Sequence, residues 1–239
     1  MSSAGRVRAG PTGGMVVGGT YSDRMLSSTP RTRHRRMKEN GRTEPAELRA
    51  VLAAGRIAHL GVVIDGHPMV VPTVYGFDEE RIYLHGSVAS RSLITGAEVC
   101  VTVTVFDGLV LARSVFEHSV NYRCAMIYGV PEWVRDDEAK RHGLRVVTEH
   151  VAPGQWAYAR QPSRKELAAT ALLALRLDEA SVKVSAGPPD DGDSPDAALG
   201  LWAGQLPIVT TWGKPIPDPA LPLEIAVPPH IAGLERTET

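Results

Sequence analysis

Ser87, Ser90, Arg91 and Ser92 follow directly on a β-rich run, Ile82-Tyr83-Leu84, that breaks at Gly86. Hydroxyls and a guanidinium gathered where a strand hands over to a short helix make a seat for a phosphate. Exposed N–H groups and the positive end of a helix dipole favour an anion there, and arginine adds two parallel charge-assisted bonds. The same residues have a plainer reading, in which Ser90 caps a helical turn and Arg91 is simply solvated. Three histidines, His67, His85 and His118, stand among the strand-like stretches. A lone histidine is more often a hydrogen-bonded structural residue than a catalytic one. His34, His142 and His230 lie in polar or terminal surroundings and are read as incidental. No GxSxG elbow, P-loop, GxGxxG or HExxH signature is present. Neither a CxxC pair nor a Cys/His cluster occurs, which argues against structural zinc.

Composition narrows the classes further. The 239 residues can form one large β domain or two small ones with a substantial core. A formal net charge of −1 supplies no global field for nucleic acid or a membrane surface, so any anion site must be local. No apolar run approaches the ~20 residues that span a bilayer, and no signal-peptide core opens the chain, so the expected compartment is the cytoplasm. Cys100 and Cys124 fall in strand-like runs, where reduced, buried thiols are the default.

The elements that must position these groups read as follows. Residues 1–38 are rich in Gly, Ser, Thr and Arg, with Arg31, Arg33, Arg35, Arg36 and Lys38 clustered, and are expected to form a mobile basic arm. Pro45 opens a helix that Gly55 closes. Asp65-Gly66 signals a type I′ hairpin between Ile57–Asp65 and Pro68–Phe77. Asp107-Gly108 signals a second hairpin, joining Val99–Phe106 to Leu109–Ser114. Asn121 to Val134 is a further strand run, interrupted at Pro131. A helix is expected from Asp136 to His150, and Ser163-Arg164-Lys165-Glu166 is a capping box for a shorter one. Strands follow at Leu172–Leu177, Ser181–Ala186 and Gln205–Trp212, with a flexible acidic loop, GPPDDGDSPD, between Gly187 and Asp196. The stretch beyond Lys214 is read as an extended tail. Even strand spacing and two Asp-Gly turns predict a mainly β (α+β) antiparallel barrel or sandwich with flanking helices, not a parallel doubly wound sheet.

Several stretches in order carry a resemblance: HPMVVPTVYG (67–76), IYLHGSVASRS (82–92), VCVTVTVFDGLVLARS (99–114), HSVNYRCAMIYG (118–129) and ELAATALLAL with SVKVSAGPP. From Arg31 to Pro222 the chain resembles the flavin-binding split-barrel proteins related to pyridoxamine 5′-phosphate oxidase, nearest the branch containing the 5-nitroimidazole-resistance proteins. The resemblance implies a homodimer of six-stranded antiparallel split β-barrels, with two FMN molecules in clefts at the subunit interface. It divides the chain into the arm (1–38), the flavin-binding domain (39–222) and a C-terminal tail (223–239). Ser87, Ser90 and Arg91 are implied to hold the phosphate, and Val71, Pro72, Thr73 and Val74 to meet the polar edge of the isoalloxazine with free backbone groups. Thr102 and Thr104 share a strand face that suits a planar ligand, although threonine is also a plain β former. Asn121, Tyr122, Arg123, Lys183 and Trp202 are candidates to close the site, some from the partner subunit. Tyr122 and Arg123 also read as a strand-edge pair, Lys183 as the polar side of a strand, and Trp202 as dimer packing.

The implied activity is an FMN-dependent oxidoreductase acting on a small molecule, with the redox chemistry carried by the flavin. The cluster of basic residues expected around the phosphate of a pyridoxal-type substrate is absent from the sequence, so oxidation of pyridoxamine phosphate is not the first expectation. The alternatives are a deazaflavin or haem in the same barrel, with His67, His85 or His118 as axial ligand, a protein that stores or senses flavin without turnover, and a split barrel that has lost its cofactor.

Overall fold

Alternating valines and β-branched runs, punctuated by turn signals, fold into one antiparallel sheet that curls into a half-barrel. The computed structural model describes residues 25–93 and 95–234. Its strands are β1 (Gly41–Arg42), β2 (Ile57–Ile64), β3 (His67–Phe77), β4 (Arg81–Ser87), β5 (Val99–Leu111), β6 (Ser119–Gly129), β7 (Glu132–Trp133), β8 (Thr170–Arg176), β9 (Ala180–Ser185) and β10 (Gly204–Pro207). The helices are α1 (Pro45–Ala54), α2 (Asp137–Val151), α3 (Gln155–Tyr158), α4 (Arg164–Ala169) and α5 (Pro229–Ala232). Neighbouring strands run β1-β9-β6-β5-β2-β3-β4-β8-β7, and β10 lies on the far half of β5. Ten strands thus replace the six expected. Three of the extra pairings come from β1, β7 and β10, which have two to four residues each and carry no readable alternation.

The inside of the curl is filled by α1. Leu48, Val51 and Leu52 on this helix are buried against Leu60, Val101, Val103, Ala125, Ile127 and Val182. A second layer forms outside the sheet, where Val147 of α2 packs with Tyr83, Leu172 and Ala174. Gly76 permits that approach, because a Cβ there would stand 2.5 Å from the backbone of Val147.

Local signals held in several places. Asp65 and Gly66 have φ of 52° and 79°, the two left-handed residues of a type I′ turn. Asp136 caps α2 by accepting from the N–H groups of Glu138 and Ala139, and Ser163 with Glu166 forms the capping box of α4. Other expectations are corrected. Asp107-Gly108 is not a hairpin: β5 runs through it to Leu111 with a register shift against β6, a β-bulge. The cause is local. Arg123 holds the Asp107 carboxylate across the strand pair, and β10 presses its backbone against Gly108. No helix follows Ser87 among the described residues; the chain makes a turn.

The segment read as a flexible acidic loop is anchored by Asp191, whose fully buried carboxylate accepts from the Arg113 backbone N–H at 2.6 Å and from Arg113 Nη1 at 2.7 Å. Strand β10 stops at Pro207 instead of reaching Trp212. Residues 25–38 of the expected arm are tied to the sheet. Arg31 bridges Glu98 at 2.7 Å and Glu179 at 2.6 Å, Thr32 is buried, and His34 Nε2 donates to the Val182 carbonyl at 3.0 Å. Residues 1–24 and 235–239, the outer parts of the expected arm and tail, lie outside the described residues. Within the tail, α5 docks by a 2.9 Å hydrogen bond between His230 Nε2 and Gln155 Oε1.

Candidate cofactor site

The sheet splits along β3. One edge of this strand pairs with β2 from His67 to Val74, and the other pairs with β4 only from Tyr75 to Phe77. Among the described residues the second edge therefore has no strand partner from His67 to Val74. The hairpin fixes which groups face it. A two-residue turn closes on a hydrogen-bonded pair, here Ile64 with His67, so alternate residues from His67 turn their N–H and C=O toward β2. Pro68, Val70, Pro72 and Val74 turn theirs to the open edge. Prolines fit at 68 and 72 because an N–H missing there removes nothing from the β2–β3 ladder. The edge thus offers acceptor carbonyls at Pro68, Val70 and Pro72 and N–H donors only at Val70 and Val74. Thr73 Oγ1 donates to the Val74 carbonyl at 3.2 Å. Of the four candidates on this strand, Pro72 and Val74 meet the edge with their backbones, while Val71 and Thr73 spend theirs on β2.

Beside that edge lies the turn after β4. Ala89 N–H donates to Ser87 Oγ at 3.2 Å and Ser90 N–H to the Ser87 carbonyl at 2.9 Å. Those donors are used within the chain, and among the described residues no helix starts at the turn. The Ser90 and Ser92 hydroxyls are 3.0 Å apart. Arg91 Nη2 bonds Asp65 Oδ2 at 2.8 Å, with both side chains more than 70% exposed. Such a pair contributes at most about 1 kcal/mol, so the guanidinium can leave Asp65 for a phosphate at little cost. Arginine and serine hydroxyls are thus the groups that this turn has to offer an anion.

The outer face of the sheet gathers a second set. Thr102 stands opposite His59 and Met126, and exposed Thr104 opposite Cys124, which in turn faces Lys183. Lys183 Nζ lies 5.6 Å from the Tyr122 ring centroid. The valines of β5 face the core, as the alternation predicted. Cys100 and Cys124 are free and half-buried, and burial raises the Cys124 thiol pKa. Arg123 is next to Tyr122 and therefore points to the other face, where it forks onto Asp107 at 2.7 and 3.0 Å. Asn121 Nδ2 donates to the Gly187 carbonyl and to Gln205 Oε1, tying β6 to β10. Trp202 is 68% exposed just before β10. Gly61, near the Asp65 turn, pairs with Cys100, and Tyr122 pairs with Phe106. Six strand steps separate those rows, ~20 Å. Within one chain, Asn121, Tyr122 and Arg123 do not reach the Ser87–Arg91 turn.

The histidines divide by their partners. His118 Nδ1 accepts from the Ala112 N–H at 3.0 Å, which places its proton on Nε2 and leaves no lone pair there for a metal in the neutral ring. His85 Nδ1 is buried and, among the described residues, has no hydrogen-bond partner, and burial lowers the pKa of this ring. His150, which sequence reading passed over, caps α1. Its Nε2 donates to the Gly55 carbonyl at 3.0 Å while Tyr75 Oη donates to the Leu52 carbonyl at 2.6 Å and Arg56 Nη1 to that of Ala53 at 2.6 Å. These three caps converge from β3, α2 and the start of β2, a meeting that no linear spacing announces.

Three comparisons bear on this geometry. A family model described as pyridoxamine 5′-phosphate oxidase matches residues 44–184. A flavocytochrome from Azotobacter vinelandii is 36% identical, with a TM-score of 0.81 over 86% of this chain and 97% of that one. An FAD- and haem-binding protein from Mycobacterium smegmatis is 39% identical, with a TM-score of 0.78 over 83% of this chain and 98% of that one. A 5-nitroimidazole antibiotic resistance protein from Bacteroides thetaiotaomicron is 20% identical, with a TM-score of 0.52 over 60% of this chain and 86% of that one, a likeness of fold. No curated protein matches the sequence. No helix among the described residues is long and apolar enough to cross a membrane.

Proposed function

The chain belongs to the pyridoxamine 5′-phosphate oxidase family, and on that premise we propose that it is a flavin-dependent oxidoreductase of a small molecule, working as a homodimer with its flavins between subunits. The observation that carries this reading is the split in the sheet: the unpaired edge of β3 from His67 to Val74 lies beside a turn of serines and Arg91. A flavin brings one phosphorylated end and one flat ring with a polar rim. The turn supplies hydroxyls and a guanidinium to the first, and the β3 edge supplies carbonyls and two N–H groups to the second. When bound, the flavin supplies the electron or hydride transfer; the protein binds it, orients it and limits access to its ring. The ~20 Å between Arg91's end of the sheet and Tyr122 supports the dimer, since only a second copy could bring the far group to the same flavin.

The test is flavin binding with and without Arg91. Reconstitution with FMN and with FAD should give a flavin absorption band and quenched flavin fluorescence. Arg91→Ala removes a charge-assisted bond of about 1.5–3 kcal/mol, so affinity for either should fall about tenfold or more. Riboflavin, which has no phosphate, should bind both proteins alike. No binding of either flavin, or an Arg91→Ala protein as tight as the wild type, would falsify the assignment.

A second reading adds haem. It is favoured by His85, whose neutral ring has an uncommitted buried Nδ1, and by the relative described as binding both FAD and haem. Haemin added to the protein should give a shifted Soret band that His85→Ala abolishes. An unshifted band excludes this reading and leaves the flavin reading standing.

A further inference from the structure

At the opposite end of β2 from the Ser87–Arg91 turn, the mouth of the half-barrel opens into a cavity of about 320 Å³, between the end of α1 and the chain that follows β10. Strand β2 has eight residues, so this mouth lies ~26 Å from the Asp65 turn. Ligand pockets run from ~300 Å³ upward, so this one sits at the small end of the range, the size for a single substituted ring.

We propose that this cavity binds a small aromatic carboxylate. Two guanidiniums, Arg56 and Arg123, face a single carboxylate, Asp107. Arg123 neutralises Asp107 by the fork of 2.7 and 3.0 Å bonds, which leaves its Nη1 outside that fork. Arg56 is held in place by donating Nη1 to the Ala53 and Gly55 carbonyls at 2.6 and 2.9 Å. Arg123 Nη1, with the Arg56 charge beside it, is the donor that the cavity wall offers an anion. Phe106 and Trp212 supply the walls for a ring; they are 43% and 40% exposed in the single chain, so a flat apolar guest would cover surface that water now wets. The Thr211 hydroxyl adds a polar contact at the rim. Charge, unspent donors, flat walls and size converge on the same class of ligand.

Titration calorimetry with benzoate, on protein both with and without added flavin, tests the proposal. Benzoate should bind once per chain, with the same affinity whether or not flavin is present. Benzamide, the uncharged counterpart, should bind at least tenfold more weakly. Trp212→Leu changes a side chain outside the core and should weaken benzoate at least tenfold with unchanged melting. Arg56→Gln should do the same, and its melting curve separates a lost ligand contact from a lost helix cap. The proposal is overturned if millimolar benzoate gives no saturable heat, if benzamide binds as well, if folded Trp212→Leu keeps the wild-type affinity, or if flavin displaces benzoate. None of these results touches the Arg91 test, so this proposal and the flavin assignment fail separately.

Discussion

His150 contributes to the acid side of the stability curve. Its ring lies tilted, 4.6 Å from that of Tyr75, and meets Phe77 edge-on, and its Nε2 donates to the Gly55 carbonyl at the end of α1. Burial first, and the nearby Arg56 charge second, push its pKa down to about 4 from an ordinary value near 6.5. The folded protein therefore holds this histidine neutral where the unfolded chain takes up a proton. Its contribution is present in full above pH ~6.5 and is lost as pH falls from there toward 4. His150→Gln keeps a donor for the Gly55 carbonyl and removes the titration. Melting temperatures measured from pH 8 to 4 should show wild type losing ground to the variant below pH 6.5, while their difference stays constant above it. A difference that is flat across the whole range would show that the ring protonates without consequence for folding.

At the scale of elements, the bulge in β5 decides how the C-terminal part of the chain attaches. Gly108 has a φ of 152°, and a Cβ there would lie 2.5 Å from the Leu206 carbonyl oxygen, so Gly108→Ala must strain its own backbone and push β10 outward. The expected loss is about 1–3 kcal/mol, with faster amide exchange confined to Leu109–Leu111 and β10. Gly96→Ala is the control: its φ is 80° but nothing lies within 4 Å, so it should carry the backbone strain alone, about 1–2 kcal/mol, and leave β10 protected. Equal exchange in both variants would mean that β10 does not depend on the glycine. The same bulge marks how far the sequence could be read. The helix starts and the Asp65-Gly66 turn were legible because their signals are local: α1 opens at Pro45, and α2 and α4 follow the capping residues Asp136 and Ser163. Asp107-Gly108 carries the same two letters as a hairpin but becomes a bulge, since Arg123 and β10 reach it from far along the chain. Ser90 and Arg91 were legible as a hydroxyl and a guanidinium sharing one turn. That their turn lacks a helix, and that Arg123 meets Asp107 across the bulge, depended on long-range pairing that composition does not encode.

For the whole molecule, the open question of scale is what covers the apolar side chains of the C-terminal segment. Leu201, Trp202, Leu206, Ile208, Val209, Ile216, Leu223 and Ile225 are all exposed in the single chain, far more in one stretch than isolated surface leucines would require. The same chain carries two groups of candidate residues at opposite ends of its sheet. A second copy would answer both, by burying the segment and by delivering Tyr122's end to the other copy's Ser87–Arg91 turn. A stable interface of this kind removes ~1,600 Å² from water, which single charges can abolish if they fall at its centre. Ile216 is 94% exposed and Leu223 completely so, so neither supports the fold of its own chain. Light scattering should therefore find wild type at twice the 25.7 kDa chain mass and the double variant Ile216→Asp, Leu223→Asp at the single mass, with its circular dichroism unchanged. The variant should also lose flavin, although Ser87, Ser90, Arg91 and the β3 edge are untouched, because half of each cleft has left with the partner. A wild-type protein that runs at the single mass removes the dimer from the assignment. A charged variant that stays double in mass and keeps its flavin moves the contact to another face of the sheet.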